Sequence, residues 1–164
     1  MLATITHTIE PVWNEESKVL ILGTMPSPKS REFGFYYSHP QNRFWKVLAK
    51  LLSQEVPVSI EEKKKLLLDN RIALWDVLQS CKIKNADDSS ISDPIANDIS
   101  TILNHTNVKT IFTTGKKATE LYKKYCVNSS DSILPIYLPS TSSANCKMKF
   151  EDMLKEYSAI LNYI

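Results

Sequence analysis

The chain is short of glycine: it has three in 164 residues, at Gly23, Gly34 and Gly115. Motifs that wrap phosphate in bare backbone need more of it. A P-loop ending in Thr114-Gly115-Lys116-Lys117 would need glycine at 110 and serine or threonine at 117, where Thr110 and Lys117 stand. The dinucleotide fingerprint fails as well, because Gly23 is followed by Met25 and Pro28 where glycines are required. Cysteine is equally sparse. Cys81, Cys126 and Cys146 are far apart, with no Cys-x-x-Cys and no Cys/His cluster at zinc spacing, so they are expected to be buried structural thiols and no metal site is implied.

Two further absences narrow the class. No apolar run approaches the roughly 18 residues that span a bilayer, and Met1-Leu2-Ala3-Thr4-Ile5-Thr6-His7 lacks a basic stretch followed by an apolar one. The expectation is a soluble, cytoplasmic protein with no membrane contact. The net charge is only +2, so any basic face for nucleic acid has to be local.

What is present fits one globular domain over residues 1–164, with 43% hydrophobic residues available for a core. Val19 to Gly23 is a short unbroken apolar run ended by glycine, the pattern of a strand buried on both faces of a parallel sheet. From Asn42 the positions Phe44, Trp45, Val47, Leu48, Leu51 and Leu52 recur at helical spacing. Ser59-Ile60-Glu61-Glu62 forms a capping box for a second helix through Leu68, and Ile72 to Trp75 reads as a second strand with Asp76 at its end.

Asp87-Asp88-Ser89-Ser90 is expected to be a polar loop, and Asp93-Pro94 to precede a helix bearing Ile95, Ile99, Ile102 and Leu103. Val108 to Thr113 gives a third strand and Gly115 to Tyr125 a helix. Ile133 to Leu138 gives a fourth strand, placed at a sheet edge by Pro135. Pro139 to Cys146 is a polar loop, and Lys147 to Ile164 a closing helix. Strands alternating with helices predict a three-layer α/β/α sandwich on a mainly parallel four-stranded sheet. The loop after Gly23 then lies at the carboxyl end of a strand, where such sheets bind ligands.

That loop is chemically dense. Ser27 lies between two prolines with no Gly-x-Ser-x-Gly elbow around it, so a serine hydrolase is disfavoured. His39, alone among aromatics, is better read as a hydrogen-bonded structural group than as a metal ligand or base. What remains is cations beside aromatics. Aromatic faces stack on bases for about 1–3 kcal/mol each, and Lys29, Arg31, Arg43, Lys116, Lys117 and Lys147 could meet phosphates. Phe44 and Trp45, on a helix, are expected in the core. Tyr36 and Tyr37, in the loop, are candidates for a pocket wall.

Gly34-Phe35-Tyr36-Tyr37-Ser38-His39-Pro40-Gln41-Asn42-Arg43-Phe44-Trp45-Lys46-Val47 resembles a segment of the uracil-DNA glycosylase superfamily found in mismatch-specific uracil/thymine glycosylases. The Tyr-Tyr and Gln forms, with Gly23 to Ser27, Ile72 to Leu78 and Leu138 to Ser142, resemble the hypoxanthine-DNA glycosylase branch most closely. The resemblance runs from roughly residue 10 to the end, and it implies the same parallel α/β sandwich.

The resemblance also implies roles. Gly23, Thr24 and Met25 match a first motif whose third position in most of the superfamily is the Asp or Asn that positions the attacking water. Met25 stands there, and a thioether does not orient water well. In the hypoxanthine branch the catalytic part falls to the Asn of Gln-Asn-Arg-Phe-Trp, here Asn42. Tyr37 matches the aromatic that stacks on the flipped base, and Asp76 falls where related enzymes read the base edge.

Ser140, Thr141, Ser142 and Ser143 match the loop that pinches the DNA strand, with Ser27, Lys29 and Arg31 as further DNA contacts; no wedge residue can be named. No lysine is placed as a Schiff-base nucleophile. The implied protein is a monofunctional, cofactor-free, monomeric glycosylase acting on double-stranded DNA that carries a deaminated base. A mismatch-specific uracil/thymine glycosylase and an inactive DNA-binding module of the same fold are the alternatives.

Overall fold

A computed structural model describes residues 2–164. In chain order the strands and helices are β1 (Ala3–Thr6), β2 (Val19–Gly23), α1 (Pro28–Phe33), α2 (Phe44–Leu51), α3 (Ile60–Asp69), β3 (Ile72–Asp76), β4 (Leu78–Lys84), β5 (Asp87–Ala96), α4 (Ser100–Leu103), β6 (Thr110–Thr114), α5 (Lys116–Tyr125), β7 (Pro135–Leu138) and α6 (Phe150–Tyr157). Short 3-10 turns occupy Asn128–Ser130, Ser143–Asn145 and Ser158–Asn162. None of the described helices is long and apolar enough to cross a membrane.

β2 explains the architecture. All five of its residues are buried, and successive side chains point to opposite faces. Val19 and Ile21 join a cluster with Phe44, Leu48, Leu67 and Tyr157, while Leu20 and Leu22 join another with Ile102, Leu121 and Tyr122. The sheet is therefore covered on both sides, with α2, α3 and α6 on one face and α4 and α5 on the other. Its order is β3-β2-β6-β7, and every pair is parallel. This is the three-layer α/β fold expected from the sequence.

Local chemistry sets the helix ends. Ser59 Oγ accepts from Glu62 N–H at 3.0 Å while Glu62 Oε1 accepts from Ser59 N–H at 3.3 Å, the reciprocal capping box expected for α3. Gly115 opens α5 at φ 91°, a left-handed value that disfavours any side chain. Pro135 starts β7, the edge strand, where its missing N–H leaves no interior ladder bond unmade.

Three expectations fail. Asp87 to Ser90 is not a loop, and Asp93-Pro94 does not open a helix; both belong to β5, and only Ser100–Leu103 is helical beyond it. β5 forms the edge of a three-stranded antiparallel sheet of order β1-β4-β5. Backbone pairing with β4 overrides the poor strand propensity of an acidic, serine-rich segment, and an edge position tolerates Pro94. Ile95, read as part of an apolar helix face, is 57% exposed on that edge.

The second failure is the omission of α1, which Ser27 caps by accepting from Ser30 N–H at 3.2 Å with Pro28 in the first turn. The third concerns thiols. Cys81 and Cys126 are buried as expected, and burial pushes the Cys126 thiol up to about 11, but Cys146 is exposed.

Candidate active site

Parallel register aligns the carboxyl ends of neighbouring strands. Gly23 of β2 pairs with Asp76 of β3, and Thr114 closes β6 beside them. Above these ends lies a cavity of about 250 Å³, just below the roughly 300–1,000 Å³ of drug-sized ligand sites. Its lining brings together Gly23, Thr24, Met25, Ser27, Tyr37, Asn42, Asp76 and the loop Ser140 to Ser143. Lys29 and Arg31 are not among the lining residues: Lys29 pairs with Glu32 at the surface, and Arg31 Nη1 donates to the Pro26 carbonyl at 3.0 Å.

The floor depends on a missing side chain. A Cβ on Gly23 would lie 2.6 Å from Asp76 Oδ1 and 2.9 Å from the Tyr37 hydroxyl, closer than real Cβ atoms come. Glycine at this position lets both polar groups converge over the strand end. Tyr37 is held from two directions. Its ring stacks on Phe44 at 4.0 Å between centroids and 17° between planes. Thr114 Oγ1 donates to the Leu22 carbonyl at 3.4 Å, which leaves its oxygen to accept from the Tyr37 hydroxyl at 3.1 Å.

Burial, with a smaller push from the Asp76 carboxylate, drives the Tyr37 phenol well above the usual tyrosine range, so it stays protonated. The backbone of Tyr37 is left-handed at φ 53°, a conformation that costs energy for a residue with a side chain and often marks functional sites. Tyr36, its neighbour, also contributes to the lining but is tied into the core. It is 2% exposed and its hydroxyl reaches the Ile9 and Glu10 carbonyls at 3.2 and 2.9 Å.

Asn42 sits half-buried just ahead of α2. Its Oδ1 accepts from Phe44 N–H at 2.9 Å, which fixes the amide orientation because only the oxygen can accept from a backbone N–H. A second lone pair on Oδ1 remains, and the NH2 group has no partner among the described residues. Structural cap and chemical donor-acceptor thus occupy one side chain. His39 Nδ1 accepts from Gln41 N–H at 3.1 Å, and the residue also lines the cavity.

Arg43 corrects another expectation. It does not point its guanidinium outward to phosphate; Nη1 donates to the Met148 carbonyl at 2.6 Å and Nη2 to the Asn145 carbonyl at 2.9 Å. Arg43 N–H also donates to the Thr141 carbonyl at 3.1 Å. The residue next to Asn42 therefore ties the Ser140–Asn145 loop against it. Within that loop Asn145 Nδ2 donates to the Ser140 carbonyl at 2.9 Å, and Tyr157 anchors the Pro139 carbonyl at 2.6 Å.

Thr141 is 1% exposed, so its side chain is not a surface contact. Its Oγ1 is the one buried side-chain polar atom without a hydrogen-bond partner among the described residues. Leaving such a hydroxyl unpaired costs about 1–3 kcal/mol.

Sequence reasoning missed five contributors. Thr114 carries no motif and is found only through sheet register. Asn85, Ala86 and Asp88, at and just after the β4–β5 turn, line the cavity from the antiparallel sheet. His7, just after β1, places Nε2 at 2.8 Å from Asp76 Oδ2, and both side chains are nearly inaccessible. No local pattern signals that bond, which joins residues 69 positions apart.

Comparison with known proteins then bears on the whole chain. The uracil DNA glycosylase superfamily matches residues 10–162. A Methanosarcina barkeri (strain Fusaro / DSM 804) protein named hypoxanthine DNA glycosylase is 32% identical over 112 residues, covering 67% of this chain and 71% of that one. Its namesake in Methanosarcina acetivorans is 37% identical over 90 residues, covering 54% of this chain and 57% of the relative. The solution NMR structure of a Methanosarcina acetivorans protein described as a candidate uracil DNA glycosylase superposes with a TM-score of 0.79 at 27% identity, covering 97% of this chain and 99% of that one. With the family match and the structural likeness both running through nearly its full length, the chain belongs to the uracil DNA glycosylase superfamily.

Proposed function

We propose that this glycosylase hydrolyses the N-glycosidic bond of a deaminated base in double-stranded DNA, hypoxanthine in deoxyinosine foremost, and leaves an abasic site. The observation that carries the reading is that Asn42 lines the same cavity as Met25. The position from which most of the superfamily activates water holds a thioether, and the free amide of Asn42 stands within the same walls. The names of the Methanosarcina relatives point the same way.

The chemistry required is modest in groups and demanding in placement. The bond breaks toward an oxocarbenium-like sugar while the leaving base takes on negative charge, and each 1.4 kcal/mol or so of stabilisation is tenfold in rate. Asn42 Oδ1, fixed by Phe44 N–H, keeps a lone pair to hold a water or face the cationic sugar. One face of the Tyr37 ring is taken by Phe44, so the base stacks on the other. Asp76, whose side chain lines the cavity, meets the base edge.

The base must first leave the duplex stack, at a cost of a few kcal/mol that is smallest for a mispaired base. That weakness favours deaminated bases before the pocket reads anything. Ser140, Ser142 and Ser143 lie on the loop that would approach the strand, with Lys29 and Arg31 as outlying phosphate contacts.

Duplexes carrying deoxyinosine, deoxyuridine or a G:T pair, incubated with protein and then cleaved at abasic sites by alkali, test the proposal. Strand breaks are expected with deoxyinosine above the other two. Duplex binding without breaks at any lesion would leave an inactive DNA-binding fold instead.

A further inference from the structure

Asp76 is a buried carboxylate whose two oxygens have different surroundings. Oδ2 is bonded to His7 Nε2 at 2.8 Å, and the His7 side chain is only 2% exposed. Oδ1 has no hydrogen-bond partner among the described residues, lies beside the bare backbone of Gly23, and belongs to the cavity lining. One oxygen is thus committed to the scaffold and the other is presented to whatever enters.

His7 is itself well placed to act as a clamp. Its backbone N–H donates to the Gln79 carbonyl at 2.6 Å, which pins it to β4, and its ring leans on Tyr36 at 5.9 Å between centroids. The imidazole is nearly inaccessible to solvent and is not among the residues that line the cavity. With Nε2–H donated to Oδ2, the carboxylate plane is set and the outward lone pairs of Oδ1 are aimed.

We propose that His7 is a positioning residue that makes Asp76 a specificity-determining acceptor for the N1–H of a flipped oxopurine. This rests on the glycosylase reading above. Base chemistry selects the atom: hypoxanthine in a nucleoside carries a single N–H, at N1, and a carboxylate oxygen can bind only a donor. A purine with a bare lone pair at N1 sets acceptor against acceptor. Sites that hydrogen-bond a substrate N–H reject analogues lacking it far more strongly than apolar pockets reject a missing methylene.

The bond to N1–H is made when the base enters, and a carboxylate does not stabilise the negative charge that develops on the leaving base, so it acts through binding rather than through the chemical step. The small antiparallel sheet, through His7, then sets which base is accepted, while the parallel core supplies Asn42 and Tyr37.

The test measures excision from matched duplexes carrying deoxyinosine or deoxynebularine, whose unsubstituted purine has a lone pair at N1 and no N–H. Wild type, His7→Phe, His7→Gln and Asp76→Ala are compared, each checked for its folded state by circular dichroism. Wild type is expected to favour deoxyinosine by at least about tenfold in kcat/KM, carried mainly by KM, and both His7→Phe and Asp76→Ala to bring that ratio within about threefold of one. His7→Gln, whose amide N–H reaches where Nε2–H stood, is expected to restore most of the preference.

A merely structural role for His7 would lower both rates together and keep their ratio; that result overturns the proposal. A wild-type ratio in Asp76→Ala overturns it even if His7→Phe does not fold. Wild type that excises hypoxanthine without preferring it to purine overturns this proposal and leaves the glycosylase reading intact. Wild type that excises neither base overturns this proposal and the hypoxanthine reading, and the deoxyuridine and G:T duplexes then show whether a glycosylase remains.

Discussion

The molecule contains two sheets that differ in every physical respect. The parallel sheet is buried on both faces, and its central strand β2 has no exposed residue. The antiparallel sheet is thin: β5 has no fully buried residue and its register slips repeatedly against β4. Yet both bear on the cavity, the first through Gly23, Asp76 and Thr114, the second through the β4–β5 turn and, behind the wall, through the His7 bond to Asp76. The buried sheet fixes where the cavity lies. The exposed one adds the β4–β5 turn to the cavity wall and brings His7 to Asp76.

The largest effect should come from breaking the buried sheet. Phe112→Ala empties a fully buried position on β6 and is expected to destabilise the fold by about 3–5 kcal/mol, read as a clear fall in melting temperature. Next comes the shared floor. Gly23→Ala drives a methyl against Asp76 Oδ1 and the Tyr37 hydroxyl, groups that His7 and Phe44 hold in place. We expect excision to fall by roughly a hundredfold, about 2.7 kcal/mol of barrier, with a much smaller loss of stability.

The exposed sheet should tolerate the most. Ile95→Ser on the outer strand is expected to cost under about 1 kcal/mol and to leave excision unchanged, since its side chain faces solvent. A fall in melting temperature as large as that of Phe112→Ala would erase the contrast between the sheets.

The same contrast explains what could be read from sequence. Strands buried on both faces are unbroken apolar runs, so Val19 to Leu22 and Ile72 to Trp75 announce themselves, as does the Ser59/Glu62 capping box. The fold followed from those runs and from the helical spacing of Phe44 to Leu52. Most of the expected site residues also meet in one cavity, because strand-end loops in a parallel sheet must converge.

What escaped was held by long-range backbone pairing or by single polar bonds. β5 looked like a loop and a helix start because its strand character comes from β4 rather than from its own side chains. His7 and Asp76 are brought together by the β1–β4 pairing, and Arg43 looked like a phosphate contact because nothing local reveals the carbonyls of Asn145 and Met148. Thr141 belongs to a polar loop in sequence, and only packing buries it.

The central claim, that Asn42 carries the catalysis which Met25 cannot, rests on one side chain with two roles. As a cap for Phe44 N–H its loss should cost about 1 kcal/mol of stability, and as a catalytic amide its loss should be felt far more in rate. The most direct measurement is the single-turnover rate of alkali-labile site formation in a deoxyinosine duplex by wild type and Asn42→Ala, both folded at the assay temperature. A fall of at least about tenfold is predicted. Equal rates would contradict it and leave Asn42 as a helix cap alone.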